Sequence, residues 1–147
     1  MTAKTWLRAG LWVLAAIDAG VGAMQLFAPQ TFYDRFPSSA HTWVAYLPPY
    51  NEHLMRDVGG LNLALLIVVV VAAVTLDRLI VRTALAAVLF FAVVHFVFHA
   101  THLEHFPRGD AIGQTISLGV TVLLLAILLW LSFRVAWAGE EHAGIRR

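Results

Sequence analysis

Four histidines lie close together in the third hydrophobic segment of the sequence: His95, His99, His102 and His105. At about 100° per residue on a helix, the first three fall within roughly 60° of one another, so their imidazoles share one face. Imidazole binds zinc, copper and iron, and His99 and His102 on successive turns are spaced to reach one ion. Because ionisable side chains are costly at membrane depth, the run predicts a site for a metal ion or haem.

Other side chains are expected to complete this site. The predicted metal ligands are His53, His99, His102 and His105, and the predicted cofactor contacts are Asp18, Gln25, His95 and Gln114. Carboxylates near the helix ends, among them Glu104 and Asp110, are further candidates. We also predict a buried contact between Asp18 and His95, in which the carboxylate favours the charged imidazole and fixes its tautomer. Two alternatives to ligation stay open: a proton or quinone site, and a hydrogen-bonded network that only holds the helices together.

The composition places these residues in a membrane protein. Of 147 residues, 60% are hydrophobic and 13% are charged, with a mean hydropathy of +0.76, which is more apolar than a soluble domain needs. Four segments, about 6–28, 57–76, 79–103 and 112–134, are near the length of roughly 20 residues that spans a bilayer. They lack the alternation of a barrel strand. We therefore predict one all-α domain, a bundle of four transmembrane helices.

The first segment has features of a signal peptide, since Lys4 and Arg8 precede an apolar stretch. Asp18 interrupts that stretch and hydrophobicity resumes through Phe27, so we expect a retained helix. With both termini in the cytoplasm, seven Lys and Arg residues lie inside and three outside, as the positive-inside rule favours. This orientation predicts a multi-pass protein of the cytoplasmic membrane with the histidine run at its outer surface.

The polar residues of the spans concentrate in the predicted outer half. Asp18 and Gln25 share a face of the first helix, and Gln114 and Thr121 share a face of the fourth. Polar stripes on separate helices are best satisfied by facing one another, so we predict one polar pocket that opens outward. The chain has no cysteine, which excludes disulfides and thiolate metal sites, and no basic cluster suggests nucleic acid.

The longest loop, 29–51, joins the first two spans and is rich in aromatic residues, which favour the membrane interface. We expect it to lie on the outer leaflet, either as a lid or as a simple covering loop, and to end at Asn51 as the N-cap of the next helix. The second and third spans meet at a tight turn around Asp77 and Arg78, which predicts antiparallel neighbours.

Two stretches carry a family resemblance. One is Gly20 to Phe27 continuing into Pro29-Gln-Thr-Phe-Tyr-Asp-Arg-Phe, and the other is Asn51-Glu-His-Leu-Met-Arg-Asp-Val-Gly-Gly-Leu-Asn. In these the chain resembles the small four-helix membrane proteins of the DoxX-like superfamily over most of its length. The resemblance implies a four-helix bundle and, through the namesake, a link to quinone-associated oxidoreductase complexes. The histidine run departs from that pattern, so no catalytic residue is transferred.

These observations predict a small integral membrane protein with an outward-facing, histidine-lined pocket. The pocket is expected to bind a metal or redox cofactor, or to belong to a subunit of a redox complex. The alternative is a non-catalytic assembly protein whose polar residues are structural. The expected partners are the lipid bilayer and either another membrane protein or a second copy of the chain, and whether the protein is an enzyme stays open.

Overall fold

The computed structural model describes residues 2–137, which fold into five helices and one small hairpin. The elements are α1 (Ala3–Phe27), α2 (Pro29–Arg35), β1 (Pro37–Ser38), β2 (His41–Thr42), α3 (Glu52–Thr75), α4 (Arg78–Thr101) and α5 (Arg108–Ser132). By length and composition α1, α3, α4 and α5 can each cross a membrane. The prediction of an all-α protein with four membrane-spanning helices is confirmed.

The N-cap predicted at Asn51 is confirmed, and the turn predicted at Asp77 also supplies a helix cap. The Asn51 side chain accepts a hydrogen bond from the backbone N–H of Leu54 at 3.0 Å and caps α3. Asp77 caps α4 by accepting from two backbone N–H groups of its first turn. Leu76, just before it, takes a left-handed conformation with φ of 47°. This compact connection makes α3 and α4 adjacent and antiparallel, as predicted.

The most extensive helix contacts are those of α1 with α3, followed by those of α4 with α5. Contacts of α3 with α4 are fewer, and those of α1 with α5 fewer still. The α1–α3 pair is close because Gly59 is buried against α1: a Cβ there would lie 2.6 Å from the backbone nitrogen of Leu26. Small residues of this kind let membrane helices approach closely.

The bundle has two unlike ends. We call the end where α1 and α4 finish and α3 and α5 begin the histidine end. The other half holds an aliphatic core, whose largest fully buried side chains include Leu7, Leu11, Val69, Leu85 and Leu125. Of the four buried polar side chains among residues 2–137, Gln25, Asp110 and Gln114 lie toward the histidine end and Ser132 lies at the opposite end.

The segment between α1 and α3 is more ordered than the predicted loop. Its first part is the helix α2, with Pro29 at its first position, where a missing N–H is tolerated. Residues 37–50, which we call the connecting segment, begin with the antiparallel hairpin β1–β2, in which Ser38 is opposite His41. The connecting segment packs over the histidine end through contacts described below.

Candidate functional site

The end of α4 carries a ladder of aromatic and imidazole rings. The His95 ring lies 4.4 Å from that of His99 and 5.6 Å from that of Phe91, measured between ring centres. Phe98 stacks on His102 at 4.2 Å and meets His99 edge-on at 5.6 Å. Since residues four apart on a helix are neighbours, the rings form two adjacent columns. We call these five side chains the ring ladder.

Beside the ring ladder, His99 lies against Gln114 of α5. Gln114 is only 3% exposed. Among residues 2–137, neither Nδ1 of His99 nor Oε1 of Gln114 has a hydrogen-bond partner, although both atoms are buried. Leaving a buried polar atom unpaired costs about 1–3 kcal/mol. The α4–α5 interface therefore holds two buried polar atoms with unused hydrogen-bonding capacity, on side chains close enough to interact with each other.

The predicted contact of Asp18 with His95 does not form, so this prediction is wrong. Within the described part of the chain, Oδ2 of Asp18 is buried without a hydrogen-bond partner, whereas His95 is exposed on the surface of α4. The physical reason is the helix pairing: α1 packs mainly on α3 and α4 mainly on α5, so α1 and α4 are not close partners.

The four predicted metal ligands are not gathered at one point. His53 forms an exposed pair with Asp57 at 3.2 Å on α3. His102 directs its Nδ1 to the backbone oxygen of Phe98 at 2.8 Å. In the region that the structure describes, no three His, Asp or Glu side chains are grouped to hold a metal ion. A metal site with these four ligands stays a prediction, because the described residues hold no preformed set of ligands.

Gln25, a predicted cofactor contact, is used within the bundle. Its Oε1 accepts a hydrogen bond of 2.7 Å from Nδ2 of Asn62 on α3. Nearer the histidine end, Arg56 donates to the backbone oxygen of Leu26 and pairs with Glu52 at 2.8 Å. These contacts tie α1 to α3. The polar residues of the spans are thus divided between helix pairs rather than facing a single pocket.

The densest polar cluster was not predicted as a unit, although Asp110 was a candidate ligand. The Asp110 carboxylate, 7% exposed, accepts from Nδ1 of His41 at 2.6 Å, from Nε1 of Trp43 at 3.1 Å and from the Tyr46 hydroxyl at 3.3 Å. All three donors belong to the connecting segment. The Tyr46 ring also meets Phe106 at 5.0 Å. This Asp110 network fastens the connecting segment to the start of α5.

A groove of about 310 Å³ lies next to the Asp110 network. It is lined by Leu47, Pro48, Phe98, His102, Glu104 and His105. The connecting segment forms one wall, and the end of α4 with the residues after it forms the other. Two of the predicted metal ligands, His102 and His105, therefore line one space, while His53 is not among its lining residues.

Comparisons with protein-family models, with curated proteins and with solved structures find no match to this chain. The function is therefore argued from the ring ladder, the unpaired polar atoms and the groove.

Proposed function

We propose that this small multi-pass membrane protein binds a redox cofactor of the quinone class at the histidine end, with its polar head between His99 and Gln114. The observation that carries the proposal is the pair of buried, unpartnered atoms, Nδ1 and Oε1, on these adjacent side chains. A quinone oxygen accepts a hydrogen bond from a protonated imidazole nitrogen, and a quinol hydroxyl also donates to an amide oxygen. Both the quinone and the quinol can therefore form a hydrogen bond with this pair of side chains.

The ring ladder supports a planar head group. Aromatic rings favour offset or edge-on contacts at centre distances of about 4.5–7 Å. Phe91 and His95 meet within this range at 5.6 Å, and His95 and His99 lie just below it at 4.4 Å. His95 is exposed beside His99, so a head group enters from the lipid-facing surface while its tail stays in the bilayer. The resemblance to the DoxX-like superfamily implies the same class of cofactor.

The orientation belongs to the same proposal. The distribution of Lys and Arg puts the histidine end at the outer face of the cytoplasmic membrane. In this orientation the cofactor head lies in the outer half of the bilayer.

Binding of decylubiquinone, a quinone with a short tail, tests the proposal directly. In lipid nanodiscs it should quench tryptophan fluorescence saturably, and His99→Phe or Gln114→Leu should each weaken binding at least about tenfold, equivalent to about 1.4 kcal/mol. These substitutions keep bulk and remove polar atoms. His53→Ala, an exposed change on α3, is the matched control and should bind normally. Unsaturable quenching, or equal affinity in His99→Phe, would contradict the proposal.

Metal analysis separates this proposal from the metal or haem interpretation. Protein purified without chelators should carry no stoichiometric iron, zinc or copper if the site holds only a quinone. Stoichiometric metal that is lost in His99→Ala/His102→Ala would replace the quinone with a metal centre. Iron content reports haem as well, so one measurement covers both cases.

A second candidate function, assembly with another membrane helix, is favoured by the exposure of His95. Because α4 ends at Thr101, His95 lies about 9 Å inside the helix end, at 1.5 Å per residue. A polar side chain on the lipid-facing surface at that depth is satisfied by a partner helix. Energy transfer between copies labelled at Ser38→Cys should then appear and be lost in His95→Leu. Equal transfer in both proteins would exclude this role for His95.

A further inference from the structure

The groove beside α4 presents a hydrogen-bond acceptor on His102, which follows from the tautomer of that ring. Its Nδ1 lies 2.8 Å from the backbone oxygen of Phe98 and 3.1 Å from the Thr101 hydroxyl. A carbonyl oxygen only accepts, so Nδ1 must carry the proton that forms this bond. In the neutral ring, Nε2 is therefore a hydrogen-bond acceptor. His102 is exposed and lines the groove, so this acceptor is available to a ligand.

Glu104 adds a negative charge to the same groove. It belongs to none of the ion pairs formed among residues 2–137. The described lining residues include no Lys and no Arg, so no cation there neutralises the carboxylate. With the imidazoles neutral, the groove carries one formal negative charge and presents acceptors.

Apart from His105, the remaining lining residues are apolar: Leu47, Pro48 and Phe98. Leu47 and Pro48 form the part contributed by the connecting segment. They directly follow Tyr46, whose hydroxyl donates to Asp110 and whose ring meets Phe106, so the Asp110 network sets the position of this wall. A volume of about 310 Å³ is at the small end of the range of about 300–1,000 Å³ for ligand sites.

We propose that this groove is a binding site for a primary ammonium group carried on a short apolar chain. A primary ammonium has three donors and no acceptor, which complements Nε2 of His102 and the Glu104 carboxylate. The apolar chain lies along Leu47 and Pro48. The inference does not depend on the quinone proposal, because the groove uses His102 and Glu104, whereas the quinone site uses His99 of α4 and Gln114 of α5. A free amine and the ethanolamine head group of a phospholipid share this chemistry.

Three probes of equal chain length test the assignment at pH 8, where a free imidazole is neutral and an alkylamine is charged. Hexylammonium should bind to the protein in phosphatidylcholine nanodiscs at least tenfold more tightly than hexyltrimethylammonium, which has charge without donors, and than neutral 1-hexanol. Equal binding of 1-hexanol would overturn the site, and equal binding of hexyltrimethylammonium would overturn its assignment to a primary ammonium.

Variants locate the site. Glu104→Gln and His102→Phe should each weaken hexylammonium binding at least fivefold, while Glu52→Gln, an exposed change on α3 outside the groove, should not. Full affinity in both groove variants would refute the proposal. Nanodiscs that also contain phosphatidylethanolamine distinguish the ligand's source: competition with hexylammonium identifies the lipid head group, and unchanged binding identifies a free amine.

Discussion

One buried polar pair in each of the two closely packed helix pairs invites comparison, because the two pairs differ in their hydrogen bonding. Between α1 and α3, Gln25 and Asn62 satisfy each other at 2.7 Å. Between α4 and α5, His99 lies against Gln114 while one buried atom of each is unpaired. A satisfied pair holds helices together, whereas unpaired polar atoms cost stability unless a ligand completes them. From these two side-chain pairs we propose that α1–α3 is the structural half of the bundle and α4–α5 the ligand-binding half.

The largest effect is expected at the close contact of the structural half. Gly59→Ala places a Cβ 2.6 Å from the backbone nitrogen of Leu26, so α1 and α3 must move apart. Overpacking of this kind costs about 1–3 kcal/mol, and the backbone contact favours the upper part of that range. Gly60→Ala is the control, because nothing lies within 4 Å of its Cβ position. The free energy of unfolding, measured with dodecyl sulfate in mixed micelles, should be lower for Gly59→Ala than for Gly60→Ala. Equal free energies for the two variants would contradict close packing of α1 on α3 at Gly59.

A smaller loss is expected from breaking the satisfied pair. Asn62→Leu leaves the 9%-exposed Gln25 without its partner and should lower the free energy of unfolding by about 1 kcal/mol. The second change, Gln25→Leu, should cost less in the Asn62→Leu background than in the unmodified protein, because the partner is already lost. Strictly additive losses in the double-mutant cycle would show that the bond contributes nothing.

The smallest effect on stability is expected in the ligand-binding half. His99→Phe/Gln114→Leu replaces two side chains that have unpaired atoms with apolar ones, which is near neutral or stabilising. Without a ligand, the free energy of unfolding should fall by no more than about 0.5 kcal/mol. A loss as large as that of Asn62→Leu would assign His99 and Gln114 a structural role and remove the contrast between the two helix pairs.

The sequence predicts the helices better than their packing. The four spans follow from hydropathy and length, and the cap at Asn51 and the turn at Asp77 follow from local residue types. The choice of α3 as the main partner of α1 does not, because lipid-facing and buried positions of these helices are both apolar. The predicted contact of Asp18 with His95 failed for that reason.

The Asp110 network illustrates the same limit. His41 and Asp110 are 69 positions apart, and nothing in their spacing joins them. The available signal was the cluster of donors His41, Trp43 and Tyr46 within six residues of the aromatic-rich loop, together with the carboxylate of Asp110 at the start of the fourth span. The sequence places the histidines on one helix, but only the structure shows that His99 meets Gln114 while His102 lines the groove.

The most direct test measures stability and decylubiquinone binding together in Asn62→Leu and Gln114→Leu. The account predicts that Asn62→Leu loses stability and keeps its affinity, while Gln114→Leu keeps its stability and loses affinity at least about tenfold. Affinity that falls in both variants in proportion to stability would contradict a division of the bundle into a structural half and a ligand-binding half.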